Sequence, residues 1–175
     1  MNTVRSRYPV PIPTLTNARS YCDRGNYCLK GVQTPCDAGY YCEEYFMTKT
    51  TGKCLKGYYC LAGSMTKTPT RGDTIDKGGR CPAGQYCDEG SSAGTKCPAG
   101  TFSNGTGLFS VADCNICPDA YMCPNSGVTA LTIVNCTEGN YCEAGTDEST
   151  KTKTVCPTGS FCPQRSPWPQ PCPPG

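Results

Sequence analysis

Seventeen cysteines in 175 residues are the side chains with the most chemistry to offer. A thiolate can attack a substrate, ligate a metal or enter a disulfide, and spacing separates these uses. Zinc sites and redox dithiols favour C-x2-C. That spacing occurs once, at Cys114-Asn115-Ile116-Cys117, whereas the dominant spacing is C-x5-C. The chain has no histidine, so the commonest zinc co-ligand and the usual general base are both absent. Its carboxylates, such as Glu43 with Glu44 and Asp88 with Glu89, stand on hydrophilic stretches beside cysteines, as in solvated loops. No catalytic residue, cofactor or metal is expected, and the cysteines point to structural disulfides.

Three further motifs carry chemistry. Asn104-Gly105-Thr106 and Asn135-Cys136-Thr137 are acceptor sequences for N-linked glycans, the second with a cysteine inside it. Arg71-Gly72-Asp73 is an adhesion-type tripeptide, short enough to arise by chance. Threonine-rich stretches at 48–51, 64–74 and 146–154 suit O-glycans or plain solubilising loops.

The elements that must position these groups repeat. CPAGQYC, Cys81 to Cys87, is the clearest copy of a seven-residue frame. It also starts at Cys22, Cys36, Cys54, Cys97, Cys117, Cys136 and Cys156, and a ninth copy starts at Cys172 as CPPG. We number these units 1 to 9. A glycine stands three residues after the first cysteine in every unit but the sixth, which has Ala120. Glycine recurring at one position predicts a turn with positive φ or a close backbone approach. An aromatic follows two residues later (Tyr27, Tyr41, Tyr59, Tyr86, Phe102, Tyr141, Phe161), with Met122 in unit 6. It is expected to pack within its unit, and the doubled Tyr40-Tyr41, Tyr58-Tyr59 and Tyr121-Met122 could leave one member free for a partner.

Leu, Ile, Val and Phe make up only about an eighth of the chain, too little for an ordinary packed core. Disulfides must replace it, which implies an oxidising compartment: the secretory pathway, the cell surface or the extracellular space. A net charge of +2 gives no reason to expect nucleic acid as a partner. The longest apolar run, Val128 to Val134, is far too short to span a membrane. The N-terminus lacks an apolar signal-peptide core, so a mature chain or a piece of a longer repeat protein is expected.

The expected organisation is a proline-containing extended segment at 1–21, with cysteine-rich repeats at 22–60 and an exposed loop insert at 61–80. Variant repeats at 81–123 and regular ones at 124–165 follow, and a proline-rich segment with the start of a further unit fills 166–175. Short two-stranded ribbons, with no helical periodicity, complete the picture.

Two neighbour pairings of the cysteines are open. In the favoured one each unit closes on itself: Cys22–Cys28, Cys36–Cys42, Cys54–Cys60, Cys81–Cys87, Cys117–Cys123, Cys136–Cys142 and Cys156–Cys162. Unit 5 has Ser103 where its second cysteine belongs, so Cys114 would serve Cys97, leaving Cys172 unpaired. The shifted alternative joins Cys28–Cys36, Cys42–Cys54 and so on to Cys162–Cys172, strands Cys22 and forces Cys114 onto Cys117. An interleaved pattern is a third possibility.

The stretch CPAGTFSNGTGLFSVADCNIC, Cys97 to Cys117, resembles the ephrin-receptor-like cysteine-rich repeat and is similar to the start of a tumour-necrosis-factor-receptor module. The CPxGxYC copies resemble the cysteine-rich arrays of protist and algal surface proteins, including the shaft repeats of mastigonemes, the hairs on flagella. The resemblance spans about residues 22–175. It implies tandem EGF-like or TNFR-like β-ribbon modules in an elongated rod without catalysis. Ala120, Ser103 and the non-proline residues Asp23, Asp37, Leu55 and Thr137 depart from the pattern. The resulting expectation is an extracellular, glycosylated structural protein of a filament, flagellar hair or surface coat. Its partners would be other copies of itself, and other extracellular glycoproteins or glycans. The alternative is a receptor-like or adhesive ectodomain whose loops bind a protein ligand.

Overall fold

A computed structural model describes residues 21–72, 74, 76–150 and 154–175. Residues 1–20 of the extended segment expected at 1–21, Asp73 and part of the 146–154 loop lie outside the described residues. Secondary structure is sparse among the described residues: seven two-stranded antiparallel sheets, two short 3-10 turns (Val111–Asp113 and Ala130–Thr132) and no α-helix. The small, disulfide-rich fold with short β-ribbons is present.

Each unit is built the same way. In units 1–5, 7 and 8 the residue after the first cysteine accepts a hydrogen bond from the amide three residues on, as in Asp37 with Tyr40 (3.0 Å) and Pro82 with Gln85 (3.2 Å). The intervening glycine has φ between +74° and +85°, while the residue before it is not left-handed. That is a type II turn, which demands glycine at its third position. Ala120 adopts φ +66° at the same place. After the turn the chain pairs with the residues that precede the next unit's first cysteine. Tyr40–Tyr41 pairs with Gly52–Lys53, Tyr58–Cys60 with Gly78–Arg80, and Gln85–Tyr86 with Thr95–Lys96. The unit aromatic then lies over a small partner: a Cβ on Gly52 would sit 3.3 Å from the Tyr41 ring, and one on Gly79 3.3 Å from the Tyr59 ring.

Eight disulfides join Cys22–Cys28, Cys36–Cys42, Cys54–Cys60, Cys81–Cys87, Cys97–Cys114, Cys117–Cys123, Cys136–Cys142 and Cys156–Cys162, with Cα separations of 5.8–5.9 Å. Thirteen of these sixteen cysteines are buried; apart from sulfur, the buried apolar side chains are few, Met122, Val128 and Pro69 among them. Bridged sulfur thus fills the place that aliphatic side chains hold in ordinary domains.

The same four backbone hydrogen bonds close each junction from unit 1 to unit 8. At the first, the Gly25 N–H donates to the Cys42 carbonyl (2.8 Å) and the Gly25 carbonyl accepts from the Cys36 N–H (2.8 Å). The tip glycine of one unit therefore plugs between the two cysteines of the next. In return, the turn after the next unit bonds back: Phe46 N–H to the Cys22 carbonyl (3.0 Å), and Cys28 N–H to the Met47 carbonyl (2.7 Å). The pattern continues to the seventh junction, where Gly139 bonds Cys162 and Cys156, Arg165 bonds Cys136, and Cys142 bonds Ser166. A disulfide holds the two cysteines at the width of one peptide, and their N–H and C=O groups serve both neighbours.

Contacts also reach the next unit but one. A Cβ on Gly84 would lie 2.5 Å from the carbonyl oxygen of Gly127, in the turn after unit 6, and one on Gly100 would lie 2.5 Å from that of Gly145. Gly25 and Gly39 meet Gly63 and Gly90 still more closely. Glycine at the tip is thus fixed twice, by its positive φ and by this approach.

Candidate functional site

With the core given over to bridges, the groups left for function lie on the surface. Cys114 and Cys117 of the C-x2-C are each committed to a different bridge, with Cys97 and Cys123, so the motif is no free dithiol. Cys172 is the free cysteine and is exposed; its N–H donates to the Gly159 carbonyl (3.0 Å), as first cysteines do at the other junctions. Ser103 is 1% exposed and keeps the backbone bonds of a second cysteine, to Gly84 (2.9 Å) and Val128 (3.0 Å). Cys97–Cys114 replaces the bridge that serine cannot make.

Arg71 and Gly72 lie at the surface, and Asp73 lies outside the described residues. Arg71 is tethered rather than free. Its guanidinium pairs with Asp76 at 2.7 Å, and Asp76, only 3% exposed, also accepts from the Thr70 and Arg71 amides at 2.9 and 2.8 Å. The Arg71 hydrogen bond is the largest influence holding the Asp76 carboxyl down at about 2, with the two amides acting the same way against partial desolvation. Within the stretch 61–80, Ser64, Pro69 and Asp76 are buried. The Ser64 hydroxyl donates toward the carbonyls of Thr66 (3.0 Å) and Asp76 (3.2 Å), which anchors the insert at both ends.

Both glycan-acceptor asparagines are exposed. Asn104 lies on the loop after Ser103, and its Oδ1 accepts from the Ala130 N–H at 2.6 Å, at the start of the 3-10 turn of the following unit. Asn135 lies in the strand Val134–Asn135, opposite Tyr121.

The residues sequence reasoning missed stand in the turn that follows each unit. Gly63, Gly90, Gly107, Gly127 and Gly145 occupy it with φ near +80°, but Phe46 (φ +59°) and Arg165 (φ +64°) take the left-handed region without being glycine. Each carries a side chain to a neighbouring unit. Phe46 stands edge-on to Tyr21 with centroids 5.7 Å apart, and Tyr45 completes the trio at 6.0 Å from Tyr21. All three are about half exposed or more. Arg165 lies 4.8 Å over the Tyr121 ring and donates to its hydroxyl. The signal was legible: a second glycine recurs nine or ten residues after the first cysteine, and Phe46 and Arg165 break it.

The unit aromatics themselves are mostly half-buried, and neither member of Tyr40-Tyr41 or Tyr58-Tyr59 stands free. Phe161 is the exception, and exposed apolar side chains outside the unit aromatics include Tyr21, Tyr45, Phe46, Phe109, Ile116 and Trp168. Three recesses among the described residues, of about 250–320 Å³, sit at or below the small end for ligand pockets. Among the described residues no helix is long and apolar enough to cross a membrane. No protein-family model matches the chain, and no curated protein matches it.

Proposed function

We propose that this chain is a non-enzymatic extracellular structural protein. It is a rod of tandem EGF-like or TNFR-like disulfide-stapled units within a filament, flagellar hair or surface coat, with other copies of itself as main partner and N-linked glycan on its surface. The observation that carries the reading is the repetition of one four-bond junction seven times without a break. Bonds that join each unit to the next along the chain favour linear growth over a closed globule. The function is mechanical: covalent loops keep a coreless chain folded, and chain order sets its length. Eight bridges also suit an oxidising compartment. A second reading, an ectodomain that binds a protein ligand, is favoured by the exposed trio Tyr21, Tyr45 and Phe46, since clustered aromatics are typical interface anchors. Electron microscopy of the native, non-reduced protein separates the two. Filaments with a constant axial repeat support the structural role. Single short rods that stay apart at high concentration refute it and leave the ectodomain reading.

A further inference from the structure

The two acceptor asparagines have the same tripeptide chemistry but stand in different folding contexts. Asn135 precedes Cys136, whose partner Cys142 lies only six residues away. So short a loop closes as soon as Cys142 is available. Closure buries both cysteines, and the sequon threonine is drawn into the unit turn. The Thr137 carbonyl accepts from the Asn140 N–H at 3.1 Å, and its Oγ1 accepts from Asn140 Nδ2 at 3.1 Å. The Thr137 hydroxyl and the Asn135 backbone are then held by the fold, Asn135 pairing with Tyr121 in a strand.

Asn104 differs in the loop that encloses it. No cysteine lies within its sequon, and the bridge around it, Cys97–Cys114, spans seventeen residues, with Asn104 near mid-loop. Gly105 and Gly107 flank an exposed Thr106. Among the described residues the Asn104 side chain bonds through its Oδ1, toward Ala130, which leaves Nδ2 for a sugar while that bond to the next unit is retained.

We infer that Asn104 carries an N-linked glycan and that Asn135 is excluded by closure of its own unit. This rests on the extracellular reading. The co-reactant is a lipid-diphosphate-linked oligosaccharide. The Asn104 amide nitrogen displaces the lipid diphosphate at the anomeric carbon and loses one proton; no oxidant is involved. The sugar leaves the chain beside the junction of units 5 and 6, so that face points to solvent in any assembly.

The test is secretion of the full chain from eukaryotic cells behind an added signal sequence, followed by peptide mapping after enzymatic deglycosylation, which converts an occupied asparagine to aspartate. One occupied site, Asn104, is expected. Thr106→Ala should abolish the glycan while leaving the Asn104 cap intact, and Asn135→Gln should leave it unchanged. Cys142→Ser, which keeps unit 7 open, should bring occupancy to Asn135. A secreted, oxidised chain lacking glycan at Asn104, or equal occupancy at both sites, overturns the inference. Failure of the extracellular reading registers separately: protein from its native source would have reduced cysteines even if the secreted recombinant chain carries the glycan.

Discussion

The tip glycines allow the junction geometry to be tested by two substitutions that share a backbone conformation and differ in surroundings. Gly84 has φ +74° and Gly139 φ +81°, so alanine at either costs about 1–2 kcal/mol of left-handed strain. Gly139 meets nothing within 4 Å among the described residues, and the cost should end there. At Gly84 the new Cβ falls 2.5 Å from the Gly127 carbonyl oxygen and 3.0 Å from its carbon. Backbone cannot swing aside as a side chain does, so the turn after unit 6 must shift, which disturbs the Gly127 N–H bond to Cys97 (2.8 Å). Overpacking of this kind adds about 1–3 kcal/mol. Gly84→Ala should therefore cost about 2–5 kcal/mol against about 1–2 for Gly139→Ala. Arrays of this kind need not unfold in one step, so the assay is hydrogen exchange at single amides. Cys97, Ser103 and Gly127 should lose roughly ten- to hundredfold more protection in Gly84→Ala than unit 7 amides lose in Gly139→Ala. Equal losses would show that the next-but-one contact contributes nothing.

Ala120→Gly should stabilise unit 6 by up to about 1 kcal/mol, because it relieves strain at φ +66°; slower exchange at Cys136 and Cys142 would register it, and faster exchange would contradict it. Replacing Cys54 and Cys60 together by alanine should cost about 2 kcal/mol of loop-closure entropy and expose the Gly39 and Gly90 amides at both neighbouring junctions. The loss of protection should be confined to those junctions. The Asp76 carboxyl is held at about 2 in the fold against an ordinary 3.8. Its contribution is then fully present above about pH 4 and is lost as pH falls through about 2. That contribution is at most about 2 kcal/mol, and nearer 1 once solvent close to the Arg71 pair is allowed for. NMR titration of the Thr70 and Arg71 amides should show the transition, and Asp76→Asn should remove it. A maleimide should label one thiol per native chain, at Cys172, and none in Cys172→Ser.

Much of the local architecture could be read from residue spacing. The recurrence of cysteine, glycine and aromatic at fixed offsets defines the unit, and the glycine three places after cysteine foretells the type II turn, because no other residue enters that φ region without strain. Short ribbons and a sulfur-rich interior follow from a chain with too few aliphatic side chains for a core. The 61–80 stretch was harder. Its polarity reads as an exposed loop, but Asp76 is buried because three donors from Thr70 and Arg71 converge on it, an arrangement that residue types alone do not reveal.

Residue types at fixed offsets specify what each unit is and where it recurs, since turn geometry and disulfide reach act over seven residues. Tertiary structure decided how units join. The insertion of Gly25 between Cys36 and Cys42 and the contact of Gly84 with Gly127 link residues of different units. Glycine permits the close approach, but the bonding N–H and C=O groups are the same in every residue, so side-chain identity does not name their partners. Phe46 and Arg165 show the same division: each is an ordinary surface residue in the sequence, and only the stack places it on Tyr21 or Tyr121.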